Sequence, residues 1–235
     1  MAFDVYVGPL SRYISGDWKT IGQRIAEEHG LKFVRISPKQ SLISRLFKPK
    51  PKNVYQRLRE QIGSSFSSVG LSEPVWDDSP EQEYVTDRPG WEGFVAFFAQ
   101  YAYALNPEMT PPTRALTMPE LSEDQAFEAE LDKGGSAIVA MMSATIFLPG
   151  TFDYSFTVEG SNGQPTGVAP LDLLDRALNT VCEHCGFDRT RLAQTGRDQV
   201  DEDATFEEAA LYGTSIYAKL ADEALKRNLP LIHDY

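Results

Sequence analysis

The sequence predicts an α/β or α+β fold, in which a small mixed β-sheet is surrounded by about five or six helices. Three observations support this prediction. The N-terminus reads as strand, helix and strand; residues 91–105 form a strongly aromatic helical pattern; and an apolar run followed by clean alternation indicates an antiparallel hairpin near 143–158.

The N-terminal segment resembles a βαβ unit in its pattern. Residues 2–7 alternate between apolar and polar positions and end at a Gly-Pro pair, as a half-buried strand does. Asp17 is the predicted cap of a helix over 18–29, which Gly30 would end. Apolar β-branched and aromatic residues over 33–36 predict the second strand.

A basic, proline-containing segment follows. Prolines predict a loop over 38–52, a short helix is expected over 53–62, and the small polar residues of 63–74 predict a flexible loop. The part before that loop is too small for a core of its own, so we expect one domain over 1–235.

The most prominent helical pattern lies in GWEGFVAFFAQYAYAL. Its bulky side chains recur at the spacing of a single helix face: Phe94, Phe97, Phe98, Tyr101 and Leu105. A face of this size must be covered by other elements, so the pattern predicts the central core helix.

The second half of the chain contains the predicted hairpin and three further helices. Residues 137–148 are apolar throughout and fit either a strand or a helix, although the second half favours a strand. The hairpin would pair 143–148 with 152–158 across the Pro149–Gly150 turn.

Capping and periodicity predict the remaining elements. Helices are expected over 122–131, 170–185 and 205–227, and the apolar tail is expected to dock as a last extended segment.

Composition excludes several classes of protein. With 42% hydrophobic and 24% charged residues the chain is globular, and it contains no apolar run long enough to cross a membrane. The N-terminus lacks the basic start of a secretory signal, and two cysteines cannot form a disulfide framework, so we expect a cytoplasmic location. Cys182 and Cys185 lie on the apolar face of a predicted helix, which indicates core thiols rather than a metal site. No metal or cofactor is predicted.

The charge distribution is uneven. Residues 39–59 contain seven basic residues and no acid; subtracting these charges from the net charge of −12 leaves −19 for the rest of the chain. The acidic balance makes nucleic acid an unexpected partner and favours a basic protein. The basic segment forms a second candidate contact patch: Lys39, Arg45, Lys48, Lys50 and Lys52.

The stretch before the aromatic helix offers the best candidate binding residues. It combines tryptophan, tyrosine and arginine side chains, which are enriched at binding hot spots, with acidic ones: Trp76, Asp77, Asp78, Tyr84, Asp87, Arg88 and Trp91. The alternative interpretation of TDRPGW is the start of a helix, with Thr86 or Asp87 as the cap and Pro89 near the first helical position.

Three functions are consistent with these patterns. The leading hypothesis is a non-catalytic binding or inhibitor protein, such as a bacterial toxin-neutralising immunity protein that engages a basic partner. The first alternative is a hydrolase or transferase of unspecified substrate, whose carboxylates would come from Asp77, Asp78, Asp87 and Asp153. The second is a structural or assembly component, including a homo-oligomer. No known catalytic motif identifies catalytic residues.

Overall fold

The computed structural model describes residues 3–33, 51–134, 136–160, 163–194 and 204–235. A single mixed sheet of six strands forms the centre of this part of the chain. The strands are β1 Asp4–Val7, β2 Val85–Asp87, β3 Ala144–Leu148, β4 Phe156–Glu159, β5 Pro165–Pro170 and β6 Leu231–Asp234. Their order is β2-β1-β6-β3-β5-β4, and only β3 and β5 pair in parallel. The prediction of an α/β or α+β fold with a mixed sheet is confirmed.

Ten helices accompany the sheet in the described ranges, more than the five or six expected. The first five are α1 Leu10–Ser15, α2 Ile21–Glu28, α3 Pro51–Ser68, α4 Gly90–Leu105 and α5 Met118–Leu121. The others are α6 Gln125–Asp132, α7 Ser136–Ser143, α8 Leu171–Cys185, α9 Arg189–Gln194 and α10 Phe206–Arg227. Several of the additional helices span only four to six residues, too short to show a helical period in the sequence.

Each face of the sheet has its own apolar core. On one face α4, α8 and α10 pack against Val5, Phe147 and Leu231. On the other, α1 and α3 cover the side chains that alternate with these. Because successive strand residues point to opposite faces, the short apolar strands contribute to both cores.

The aromatic helix is the central helix, as predicted. Twelve of the sixteen residues of α4 are buried, and α4 packs along α10. Gly93 of α4 and Gly213 of α10 lie where the two helices cross. A Cβ added at Gly213 would lie 2.7 Å from the backbone carbon of Gly93. Glycine is therefore required at this position for the helices to approach each other.

The predicted hairpin is wrong in its pairing, although both of its strands exist. β5 lies between β3 and β4, parallel to β3 and antiparallel to β4, so the hairpin is formed by β4 and β5. After β3 the chain crosses α3 instead of reversing, and Phe152 and Phe156 contact Phe66 with ring centroids 4.9 and 5.4 Å apart. Alternation identified the buried face of this segment, but it does not specify the partner strand.

A glycine allows β5 to occupy this central place. A Cβ at Gly167 would lie 2.9 Å from the carbonyl carbon of Ser143 and 3.1 Å from Cα of Ala144. The backbones of β5 and of the α7–β3 junction therefore approach more closely than a larger residue permits.

The βαβ prediction is only partly tested. β1 is present, but residues 34–36 of its second strand lie outside the described residues. The helix runs from Ile21 to Glu28 and is capped by Thr20, which forms a capping box with Gln23; Asp17 is not the cap. None of its residues is buried.

The predicted loop over 63–74 is helical at its start. α3 continues to Ser68 because Ile62 and Phe66 extend the buried face of Leu58. Ser65 and Ser67 donate their hydroxyls to carbonyls one turn back, each at 2.9 Å, and so satisfy their own polar groups within the helix. Only residues 51 and 52 of the predicted loop over 38–52 are described, and both belong to α3. The prediction of a single domain over 1–235 stays a prediction.

The later predictions agree more closely with the structure. The apolar run over 137–148 is helix α7 followed by strand β3, and the helices predicted over 170–185 and 205–227 are α8 and α10. The predicted helix over 122–131 is α6, capped by Asp124. The tail forms β6, which lies inside the sheet between β1 and β3. No helix within the described ranges is both long and apolar enough to cross a membrane.

Candidate functional site

Trp76, the first residue of the predicted binding stretch, is a core residue. It is 6% exposed and packs with the cluster of Leu58, Ile62 and Phe66 on the α3 face of the sheet. The Arg59 guanidinium lies 3.8 Å from the centre of the indole ring, an arrangement favoured by the ring quadrupole. Burial leaves little of this side chain accessible to a partner, so the structure does not support the predicted role of Trp76 in binding.

The two aspartates that follow hold neighbouring segments together. Asp77 accepts hydrogen bonds from the Ser79 backbone N–H at 3.0 Å and from Gln82 Nε2 at 2.5 Å. Asp78 accepts from the backbone N–H of Ser11 at 3.0 Å and from the Tyr55 hydroxyl at 2.5 Å. It therefore joins α1 to α3. Burial and the hydrogen bond to Asp78 raise the pKa of Tyr55 above its ordinary value, so the phenol stays protonated.

Tyr84 has a similar structural role. Its hydroxyl accepts a hydrogen bond from the Lys19 backbone N–H at 3.0 Å, and its ring stacks on Tyr6. The Arg12 guanidinium lies 4.7 Å from the centre of the Tyr84 ring. These contacts fix the segment that leads into β2.

Asp87 and Arg88 each bind a different partner. Asp87 forms an ion pair with Lys219 of α10 at 2.6 Å. Arg88 forms one with Asp4 at 2.6 Å, and the Asp4 side chain is only 3% exposed. Asp4 also accepts from the backbone N–H of Ile21 at 3.1 Å, so the pair holds the start of α2 beside β1.

Neither proposed helix cap before α4 is used. Thr86 and Asp87 belong to β2, and Pro89 occupies the N-cap position without a side-chain hydrogen bond. Trp91, the second residue of α4, is half-buried against the rings of Phe3 and Phe94, at centroid distances of 5.1 and 5.8 Å.

The acidic side chains offered for catalysis do not converge. Asp77, Asp78 and Asp87 each bind separate partners, as given above, and Asp153 is exposed on the segment between β3 and β4. No group of three or more histidine, cysteine or acidic side chains in the described ranges is placed to hold a metal ion.

The predicted basic patch lies mainly outside the described residues. Lys39, Arg45, Lys48 and Lys50 fall in the undescribed range 34–50, and Lys52 is exposed in the first turn of α3. Its role in partner binding stays a prediction.

His233 is a buried polar residue that the sequence did not single out. It is 1% exposed, and Phe3, Phe94, Phe147 and Tyr217 surround its ring. The Tyr217 hydroxyl lies 3.2 Å from Nε2. Burial lowers the pKa of His233 to about 3, so the ring is neutral at physiological pH.

The two cysteines lie at the end of α8, as predicted, and neither forms a disulfide. Cys182 is buried and Cys185 is half-buried. Burial raises the pKa of both thiols, that of Cys185 to about 11. Neither thiol is therefore activated as a nucleophile.

Among the cavities in the described part of the chain, two combine the size of a ligand site with polar side chains on their walls. One, of about 360 Å³, opens between α1, α3 and the sheet, and Tyr13 donates a hydrogen bond to Asp234 at 2.8 Å on its wall. The other, of about 480 Å³, lies between α4, α8 and α10. Gln100 lines this second cavity. The sequence signal that could have identified Gln100 is a single amide within the apolar run of α4.

Comparisons of the chain with protein-family models, with curated proteins and with solved structures find no match.

Proposed function

We propose that the protein is a non-catalytic binding protein that engages a basic protein partner, and that it belongs to the class of bacterial toxin-neutralising immunity proteins. The observation that supports this most directly is that the charged side chains fall into two groups. Those suggested for catalysis are mostly bound within the fold, whereas other carboxylates are exposed and unpaired in the described ranges.

The unpaired carboxylates include three that lie on or beside α6 and α8, two helices that both pack on α4. Glu123 lies just before α6, Glu128 within α6, and Glu183 near the end of α8. All three are exposed, and their side chains form no ion pair or hydrogen bond within the described ranges. Together with the net charge of −12, they produce a field that attracts a basic surface and accelerates its association.

The enzyme alternative lacks comparable support. A hydrolase or transferase built on Asp77, Asp78, Asp87, Arg88 and Asp153 needs at least two of these groups around one reacting atom. Each of the first four is held by a different structural partner instead. A cytoplasmic location remains part of the proposal and rests on the two free cysteines.

The test captures the partner from extracts of the native host with the tagged protein. Mass spectrometry then identifies the captured proteins. The test variant replaces Glu123, Glu128 and Glu183 with lysine. We expect the wild type to capture a basic protein, and the variant to capture at least tenfold less of it. The reason is that the new lysines repel the partner and shift the net charge from −12 to −6.

A matched control separates surface position from total charge. Glu28, Glu60 and Asp153 are also exposed and unpaired in the described ranges, and they belong to α2, α3 and the segment between β3 and β4. Replacing these three with lysine changes the net charge by the same amount. The proposal is supported if the control captures the basic partner and the test variant does not. Recovery of only a second copy of this chain would contradict it and favour an assembly role.

A further inference from the structure

The cavity between α4, α8 and α10 has an unusual chemical composition. Its apolar walls include Phe187, Phe206, Pro111 and Pro112, and its volume of about 480 Å³ falls within the range of roughly 300–1,000 Å³ found for ligand sites. Among its lining residues in the described ranges there is no arginine or lysine, and His184 is the one basic side chain. The only carboxylate that lines it belongs to Glu207, which is exposed in the first turn of α10.

Gln100 provides a polar group inside the cavity. The residue is 7% exposed, and its side-chain amide forms no hydrogen bond to any other described residue. An amide that has no partner among the described residues and borders a cavity can form hydrogen bonds with a group that fills that cavity. Gln100 therefore offers an acceptor oxygen and a donor nitrogen to a group that enters the cavity.

The electrostatics of the cavity disfavour an anion. Burial raises the pKa of Cys185, which lines the wall, and the charge of nearby Glu207 raises it further. Burial disfavours a charge of either sign at this position, and the Glu207 carboxylate favours a cation over an anion.

We propose that this cavity receives an arginine side chain of the basic protein partner. Glu207 would accept hydrogen bonds from the guanidinium, the Gln100 oxygen would accept one more, and the ring of Phe187 or Phe206 would cover its flat face. Arginine fits better than lysine, because a planar guanidinium both stacks on aromatic rings and donates to two acceptors at once. The assignment rests on the proposed function for the identity of the partner, but the guanidinium site can be tested separately.

The experiment titrates N-acetyl-L-arginine amide into the nitrogen-15-labelled full chain and follows the backbone amide signals by NMR. N-acetyl-L-citrulline amide, which has nearly the same shape without the charge, is the matched probe. We expect saturable shifts centred on the cavity residues, with the arginine probe binding at least fivefold more tightly than the citrulline probe.

Two variants test the assigned contacts. Glu207→Gln should weaken the arginine probe about tenfold, and Gln100→Met, of nearly equal size, about fivefold. Glu28→Gln is the control, because it removes one exposed negative charge outside both the cavity and the proposed binding surface, and it should leave binding of the probe unchanged. Circular dichroism checks that each variant folds, and Glu207→Gln alone decides the question if Gln100→Met does not fold.

The outcomes separate this inference from the proposed function. The site is overturned if the cavity signals do not shift, if both probes bind equally, or if Glu207→Gln binds like the wild type. If the native partner is recovered equally well on Glu207→Gln and on the wild type, the cavity proposal falls and the proposed function stands. If the probes behave as expected but no basic partner is recovered, the guanidinium site stands and the proposed function falls.

Discussion

The crossing of α4 and α10 predicts an asymmetric effect of two identical substitutions. In Gly213→Ala, the new methyl group would lie 2.7 Å from the carbonyl carbon and 3.0 Å from Cα of Gly93, with the Gly93 oxygen closer still. All three are backbone atoms, so no side chain can rotate to make room. In Gly93→Ala, the nearest atoms are Cδ1 of Tyr212 at 3.1 Å and Cα of Gly213 at 3.2 Å.

The magnitude follows from these distances. Carbon atoms pack best at about 3.5–4.0 Å, so Gly213→Ala must separate the two helices by roughly 1 Å, which forfeits about a quarter to a half of their dispersion contacts at the crossing. Overpacking of this kind costs about 1–3 kcal/mol or more, and the rigid backbone places Gly213→Ala at the upper end. The better helix propensity of alanine returns about 1 kcal/mol. We therefore expect a net loss of about 2 kcal/mol for Gly213→Ala and a change within about 1 kcal/mol for Gly93→Ala.

Urea denaturation followed by circular dichroism measures both variants. A lower midpoint with an unchanged slope reports a loss of stability without a change in the surface exposed on unfolding. Because both substitutions exchange glycine for alanine inside a helix, the propensity term cancels in the comparison. If Gly93→Ala is as destabilising as Gly213→Ala, the crossing is not as close as described and the reasoning is refuted.

Three further predictions concern buried polar groups. Arg88→Met should lower the free energy of unfolding, measured by urea denaturation, by about 3 kcal/mol, because it leaves the buried Asp4 carboxylate without its cation. Adding Asp4→Asn should restore part of that loss. An unchanged free energy of unfolding in Arg88→Met would contradict this. The pKa of His233 lies at about 3 against an ordinary 6.5, so the unfolded chain binds the proton first; stability should fall below pH 6.5 by up to about 1.4 kcal/mol per pH unit down to about pH 3. His233→Phe should lack this component, and identical pH profiles would exclude it. Cys182 and Cys185, whose pKa values are raised by burial, should react with iodoacetamide at neutral pH far more slowly than in urea, and equal rates would show that burial does not protect them.

The elements that were predictable from the sequence are those with a long, local signal. α4, α8 and α10 each span four or more turns, so their apolar residues repeat often enough to identify both the helix and its buried face. α1 and α9 span six residues each, and β2 spans three, which is too short for a period to be recognised. The central position of β6 depends on pairing with distant strands, which local patterns do not encode.

The failure of the hairpin prediction has the same origin. Residues 152–158 alternate because one side of the segment packs on α3, and Phe152 and Phe156 both contact Phe66. That alternation would be the same whichever strand lay beside β4. The close approach at Gly167, which places β5 next to β3, involves a backbone contact with Ser143 and has no signature in hydrophobic periodicity.

The candidate site shows why residue type alone is a poor guide to function in this chain. Arg88 and Trp91 are residue types that binding hot spots favour, and Asp87 suits a basic partner. The ion pairs of Asp87 with Lys219 and of Arg88 with Asp4, however, hold β2 against α10 and β1. A charged side chain already bound within the fold must exchange that partner for a new one, so it contributes less to binding than a free side chain.

Gln100 and Glu207 illustrate the opposite case. One is a lone amide in an apolar helix and the other is one acid among many, and neither is notable in the sequence. The fold brings them to the same cavity across more than a hundred residues of chain, and it leaves the Gln100 amide without a partner among the described residues. An unsatisfied group inside a cavity retains its full capacity to bind, because no internal contact has to be broken first. In this molecule the strongest indication of a binding site is therefore a polar group that the fold itself does not use.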